Sequence, residues 1–239
     1  MIKLLGEDEG YESSRNFTDM NRIYIFDICG TLYRSNTTFD FLEYFLKDTN
    51  IYYRYYNILR KTIVWRLFNK IAVKLLRMDM TRIIALCFLK GYTYDELKDA
   101  AQSFYNEYLI PHQNVKVIDS LKSLSLDPHN KIIIVSATLD FIADIISRHV
   151  PCQSCYSSQL AYQNGVCQGK LSVDLLGRKV EKIFADFERY FEGVYTDDLS
   201  DMTLLEKAKE KNIIVYPKTK EKWERLLKKK GWNANIIAC

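Results

Sequence analysis

The sequence predicts an α/β fold, a doubly wound parallel sheet with an all-helical segment inserted after its first strand. Two observations carry that expectation. Short apolar, β-branched runs alternate with helical patterns through the C-terminal half, as in strands covered by helices on both faces. Residues 35–117, by contrast, hold no strand pattern and are far too many for a connecting loop.

Taken in order, residues 1–20 read as a loose or docking tail, and RIYIFDI (22–28) is a strand bounded by Cys29-Gly30. Inside the insert, NTTFDFLEYFL starts a helix with Thr38 as its N-cap. Residues 51–78 form one long helix or two shorter ones. YTYDELKDAAQSFYNEYL (92–109) forms another, with its acids early, and Pro111 ends the last. KIIIVSA (131–137) is the second strand, followed by a helix over 138–149. YQNGVCQGKLS reads as a small hairpin with Asn164-Gly165 at its tip. Helices over 178–191 and 200–211 then alternate with strands GVYTDD (193–198) and NIIVYP (212–217). The expected domains are a core of residues 1–34 and 118–239 and a helical cap of residues 35–117.

Hydrophobic residues make up 48% of the 239, enough for a proper core, and 34 basic against 30 acidic side chains leave a net charge of +4. That mild excess gives no reason to expect nucleic acid as a partner. No run of 18 uninterrupted apolar residues suggests a membrane span. The start, MIKLLGEDEG, turns acidic too soon for a secretory leader. The six scattered cysteines are therefore expected as free thiols in a reducing, cytoplasmic compartment. Cys152 and Cys155 form a lone C-x-x-C, and His112, His129 and His149 stand apart, a weak basis for a metal or redox site.

In open, Rossmann-like sheets, ligands gather beyond the carboxyl ends of the strands. The predicted edge there carries Asp27, Ser136 with Ala137, and Asp197, Asp198 and Asp201, while Lys179 opens a helix. Each has an ordinary reading when taken alone: a turn or helix-cap residue for the acids and the serine, a solvated side chain for the lysine. Together they suit phosphoryl transfer. A carboxylate attacks phosphorus and divides one hard step into two. Crowded carboxylates call for a cation, and Mg²⁺ takes one or two of them with waters and phosphate oxygens. A hydroxyl and an ammonium would bind the equatorial oxygens of the transferring group, and Gly30 would let the backbone approach it.

The order D-x-x-G-T-L from Asp27, an apolar strand ending in Ser136, Lys179, then D-D-x-x-D from Asp197 resembles the haloacid dehalogenase (HAD) superfamily, in its phosphoserine-phosphatase-like branch with a helical cap. The resemblance covers about residues 22–230 and includes GKLSVDLLG before KVEKI and the NIIVYPKTKEKW segment. It implies a Mg²⁺-dependent phosphatase with Asp27 as nucleophile. It implies a metal held by Asp27, Asp197 and the backbone carbonyl of Cys29, with Asp201 acting directly or through water. It makes Ser136, with Ala137 beside it, and Lys179 the phosphate-binding groups, with Lys182 as a substitute for Lys179 and the backbone near Ile28 and Cys29 helping. Family phosphatases mostly carry Asp where this chain has Cys29. Thr196 stands where Gly is common, and Asp198 where Ser is frequent.

The missing acid normally protonates the leaving oxygen and then helps water attack the aspartyl phosphate, a contribution of about 10²–10⁴-fold. A thiol ionises near pH ~8.5 and is a poor substitute. Three outcomes fit: a slow phosphatase, an enzyme for a leaving group that needs no proton, such as an acyl phosphate, or a weakly catalytic phospholigand-binding protein. A halide would also leave without a proton, but the acidic cluster suits a cation and phosphate better. Cys29 packing without a role fits equally.

Residues 51–78 carry Arg54, Arg60, Lys61, Arg66, Lys70, Lys74 and Arg77, no acid, and interleaved aromatics. The plain reading is a cap helix with its cations in solvent. The alternative is peripheral contact with an anionic membrane surface. Beside a phosphate site, that points to a small-molecule or lipid-like phosphate ester as substrate.

Overall fold

The computed structural model describes residues 22–76, 78–186 and 190–239, so the expected tail lies outside the described residues, as does Arg77. A seven-stranded sheet runs in the order β4-β3-β2-β1-β5-β6-β7. Its strands are β1 (Arg22–Phe26), β2 (Asn130–Leu139), β3 (Ser154–Gln163), β4 (Val166–Val173), β5 (Phe191–Thr196), β6 (Ala208–Val215) and β7 (Asn235–Ala238). Every neighbouring pair is parallel except β3 and β4, which form an antiparallel hairpin at one edge. Asn164 (φ 51°) and Gly165 (φ 77°) turn that hairpin, the two left-handed positions that an Asn-Gly turn supplies at little strain.

Between β1 and β2 lie α1 (Thr37–Leu46), α2 (Ile51–Leu59), α3 (Ile63–Leu76), α4 (Met80–Cys87), α5 (Tyr94–Phe104) and α6 (Val115–Ser125). Residues 51–78 are thus broken into two helices. The break falls at Lys61-Thr62, where the Thr62 hydroxyl accepts from the Trp65 amide (3.3 Å) and restarts the chain as α3. Asn36, not Thr38, caps α1, because Asn36 Oδ1 accepts from the Phe39 amide (3.4 Å) while Thr38 is buried in the first turn. Thr93 and Glu96 cap α5 reciprocally. That helix runs on through a π-helical turn, Tyr105–Leu109, to a 3-10 turn, Ile110–His112, that contains Pro111.

After β2 come α7 (Asp140–His149), α8 (Lys179–Asp186), α9 (Met202–Glu206) and α10 (Lys220–Lys230). Three expected helices are shortened. Thr138 and Leu139 extend β2, so α7 begins at Asp140. The 178–191 helix begins one residue later, at Lys179, and its expected end overlaps residues 187–189, outside the described set, and Phe191, which opens β5. The 200–211 pattern is helical only to Glu206. From Ala208 the chain pairs with β5, Phe191 opposite Ala208 and Val194 opposite Lys211, and this ladder overrides the helical spacing of Leu204, Leu205 and Ala208.

The two-residue period of the strands divides the core. Ile23, Ile25, Ile133 and Val135 face one side with Phe191 of β5 and Ile213 of β6, where Leu204 of α9 and the buried Trp223 of α10 cover them. Tyr24, Phe26, Ile132 and Ile134 face the other, packing with Phe41 and Leu42 of α1, Phe104 of α5 and Phe141 of α7. The insert therefore shares one apolar cluster with the sheet. It is also tied to the β3–β4 hairpin through the backbone: the Gly91 amide donates to the Cys167 carbonyl (3.0 Å), Cys167 to Tyr92 (2.8 Å) and Tyr94 to Gly165 (3.0 Å).

Candidate active site

Both β1 and β5 end at the sheet's carboxyl edge, and side chains just past those ends converge. Asp27 follows β1 and is 5% exposed. Its amide donates to the Tyr195 carbonyl (3.1 Å), which continues the β1–β5 ladder to its last rung. Lys179, the first residue of α8 and equally buried, sets its Nζ 2.9 Å from Asp27 Oδ1 and 2.8 Å from Asp201 Oδ2. Burial opposes the ammonium charge, but the two carboxylates outweigh it and its pKa is raised. Asp201 Oδ2 also accepts from the Thr196 hydroxyl (2.7 Å).

Gly30 has φ +68°, and a Cβ built there would lie 2.1 Å from Asp197 Oδ2. Glycine is thus required both for the backbone conformation and for the approach of Asp197. The D-x-x-G loop is held from below: Asn114 Nδ2 donates to the Thr31 carbonyl (2.7 Å) and Tyr216 OH to the Gly30 carbonyl (2.6 Å). The Asp197 amide donates to the Thr31 hydroxyl (3.0 Å), joining the two acidic loops. Burial, followed by repulsion from Asp27 and Asp198, pushes the Asp197 carboxyl up to about 7.

Cys29 points into a cluster of hydroxyls. Its Sγ lies 3.1 Å from Thr37 Oγ1 and 3.2 Å from Thr138 Oγ1, those hydroxyls are 2.8 Å apart, and Ser136 Oγ is 3.0 Å from Thr138 Oγ1. Burial first, then the Asp27 charge, raises the thiol pKa, so it stays protonated.

Asp27, Cys29, Gly30, Ser136, Ala137, Lys179 and Asp197 all line one cleft of about 620 Å³. Asp201 stands behind Lys179. Lys182 faces elsewhere, its Nζ 6.0 Å from the Tyr156 ring. Sequence reasoning missed Thr31, Thr37, Thr138, Asn114 and Arg82. Thr31 sits inside the quoted motif and could have been suspected there. Arg82 of α4 carried no such signal: it is buried, donates through Nη2 to the Ala137 carbonyl (2.7 Å) and the Ser158 hydroxyl (3.1 Å), and pairs through Nη1 with Asp174.

Among the described residues, no three His, Cys, Asp or Glu side chains alone gather to enclose a metal. The donor set nevertheless fits Mg²⁺, which needs few carboxylates. Asp27 Oδ1 is buried, and among the described residues it meets only the Lys179 ammonium. Asp27 and Asp197 face one cleft, where their mutual repulsion marks a place for positive charge. The C-x-x-C thiols are different: burial raises both, Cys155 to about 12, and their Sγ atoms lean on the Ser147 and Ala143 carbonyls.

A model of the haloacid dehalogenase-like hydrolases matches residues 24–206. The chain belongs to that family. No curated protein matches this HAD-like hydrolase. Among solved structures, a protein of unknown function from Bordetella pertussis Tohama I is similar at TM-score 0.66 and 18% identity, over 90% of this chain and 98% of that one. A substrate-bound phosphoserine phosphatase is similar at TM-score 0.56 and 16% identity, over 87% and 98%. A phosphoserine phosphohydrolase-like protein from Francisella tularensis is similar at TM-score 0.56 and 13% identity, over 90% and 94%. At these identities the HAD-like hydrolase shares their fold.

Proposed function

We propose that the protein hydrolyses a phosphomonoester through an aspartyl phosphate on Asp27, with Mg²⁺ bound by Asp27, Asp197 and the Cys29 carbonyl and with Asp201 acting at one remove. The observation that carries this reading is Lys179, held as an ammonium between Asp27 and Asp201 at the floor of a cleft that also contains Ser136 and Asp197. Bound Mg²⁺ would supply positive charge for the phosphoryl oxygens.

An Asp27 carboxylate oxygen attacks phosphorus, and the bond to the leaving oxygen breaks with its electron pair. The leaving oxygen takes a proton, and water then attacks the acyl phosphate, losing a proton and releasing phosphate and the free carboxylate. Lys179 and the Ser136 hydroxyl hold the equatorial oxygens. Cys29 has the wrong acidity for either proton transfer, so both depend on solvent or on the substrate, and turnover is slow. The insert, residues 35–117, is read as a cap over the cleft, contributing Phe39, Asp79 and Arg82 to its wall and hence to specificity. The substrate is a small phosphate ester, and the compartment proposed is the cytoplasm. The same Cys29 cluster favours a second reading, a phospholigand-binding protein with little turnover.

The test is a panel of phosphomonoesters with Mg²⁺, run on the wild type and Asp27→Asn. Hydrolysis by the wild type and none by the variant is expected. Equal rates would remove Asp27 as nucleophile, and tight binding of phosphate esters without hydrolysis would favour the second reading.

A further inference from the structure

Helices α2 and α3 leave most of their apolar side chains uncovered. More than half of the large apolar side chains exposed among the described residues lie in these two helices. Ile63 is 82% exposed, Val64 79% and Leu75 73%, and α3 buries only Ala72. Trp65 holds α3 down, its ring edge-on to Tyr56 and its Nε1 donating to Thr81 Oγ1 (2.9 Å), together with Asn69, whose Nδ2 donates to Asp79 Oδ1 (3.1 Å).

Helical periodicity sorts the rest of α3. Trp65, Asn69 and Ala72 share the inward face. Val64, Phe68, Ile71 and Leu75 follow at i, i+4, i+7 and i+11 on an outward stripe. Arg66, Lys70 and Lys74, four apart, form a second stripe flanking the first. A face of this composition suits the boundary between acyl chains and headgroups. Its charge decides between occupants. Segment 51–78 has no acid, so a second copy packed by two-fold symmetry would set these cations against themselves, whereas an anionic bilayer complements them.

A recess of about 600 Å³ where α2 gives way to α3 is lined by Arg60, Lys61, Arg66 and Lys70, with Phe39 and Asp79 in its wall. Phe39 and Asp79 also line the cleft that holds Asp27, so the cationic recess and the candidate active site adjoin.

We infer that α2 and α3 dock on an anionic lipid surface and bring the cleft to a phosphomonoester carried by a lipid; the substrate half of this inference rests on the phosphatase reading above. The apolar stripe enters the headgroup layer, and the cationic recess takes a lipid phosphate beside the cleft.

The experiment is co-sedimentation of the full chain with phosphatidylcholine vesicles, with and without phosphatidylglycerol, at low and high salt. Binding to the anionic vesicles at low salt and its loss at high salt are expected. Arg66→Ala and Lys70→Ala should each weaken partition about fivefold. Val64→Ser with Ile71→Ser should weaken it further, with an unchanged thermal melt as the control for folding. No binding to anionic vesicles, equal binding to neutral ones, or a stable dimer that hides this face overturns docking. Sedimentation needs no turnover, so Asp27→Asn should bind vesicles like the wild type even where it hydrolyses nothing. For the substrate half, phosphatidate in vesicles should be hydrolysed faster than soluble glycerol 3-phosphate, and the reverse order overturns it.

Discussion

Lys179 Nζ lies 2.9 Å from Asp27 Oδ1, two residues 152 positions apart brought into a buried ion pair at the end of the first strand. The pair is shared with Asp201, so one cation holds two carboxylates that would otherwise repel. Lys179→Met should leave both acids buried and unpaired. The expected cost is about 3–5 kcal/mol in a denaturant melt without Mg²⁺, with loss of any phosphatase activity. A variant as stable and as active as the wild type would show that the pair is incidental.

Cys29→Asp should raise steady-state turnover of an aryl phosphate about tenfold or more with Mg²⁺. Thr37 and Thr138, whose hydroxyls now contact the thiol, are placed to donate hydrogen bonds to the new carboxylate, so the substitution should be tolerated. No gain in a folded variant would move the deficit away from this position.

The pH dependence of stability without Mg²⁺ follows from Asp197. Burial, then Asp27 and Asp198, raises its folded carboxyl to about 7, while an unfolded aspartate ionises near ~4. Between those values the folded state keeps a proton that the unfolded state has lost. Stability from this group therefore falls as pH rises through that window and is fully lost above it. Melting temperature should drop from pH ~5 to pH ~8, and added Mg²⁺, which binds the ionised form, should restore more of it at the higher pH. A flat profile with and without the ion would contradict the crowded-carboxylate picture.

Arg82→Ala should strip donors from the Ala137 carbonyl and the Ser158 hydroxyl, at a cost of about 1–3 kcal/mol by chemical denaturation. Arg82→Lys should rescue little of it, because one ammonium cannot reproduce the fork that reaches Asp174 and Ala137 together. Full rescue by lysine would show that charge alone matters there.

That the candidate residues gather in one cleft was legible in the sequence where polar groups sit next to secondary structure. Asp27 and Asp197 follow strand runs, Ser136 lies near the end of one and Lys179 opens a helix, and the sheet's geometry gathers such ends by itself. Long-range packing was not legible. Arg82 and Asp174 are 92 positions apart, with nothing local to link them, and Thr37 and Thr138 both look like ordinary helix-start residues until Thr138 extends β2 and α1 packs on it. The start of β6 was hidden for a related reason, since Lys209, Glu210 and Lys211 join a ladder through their backbones while their side chains carry no strand signal. Burial of the sheet on both faces was implied by its continuous apolar runs, but the partners in the insert were not.

The stitches joining Gly91, Tyr92 and Tyr94 to the tip and far arm of the edge hairpin limit how the enzyme can breathe. Swinging residues 35–117 aside like a door would rupture three main-chain contacts and prise apart a continuous greasy interior. Traffic into and out of the cleft must instead use a standing entrance, with adjustments on the scale of side chains, or else haul the hairpin along as luggage.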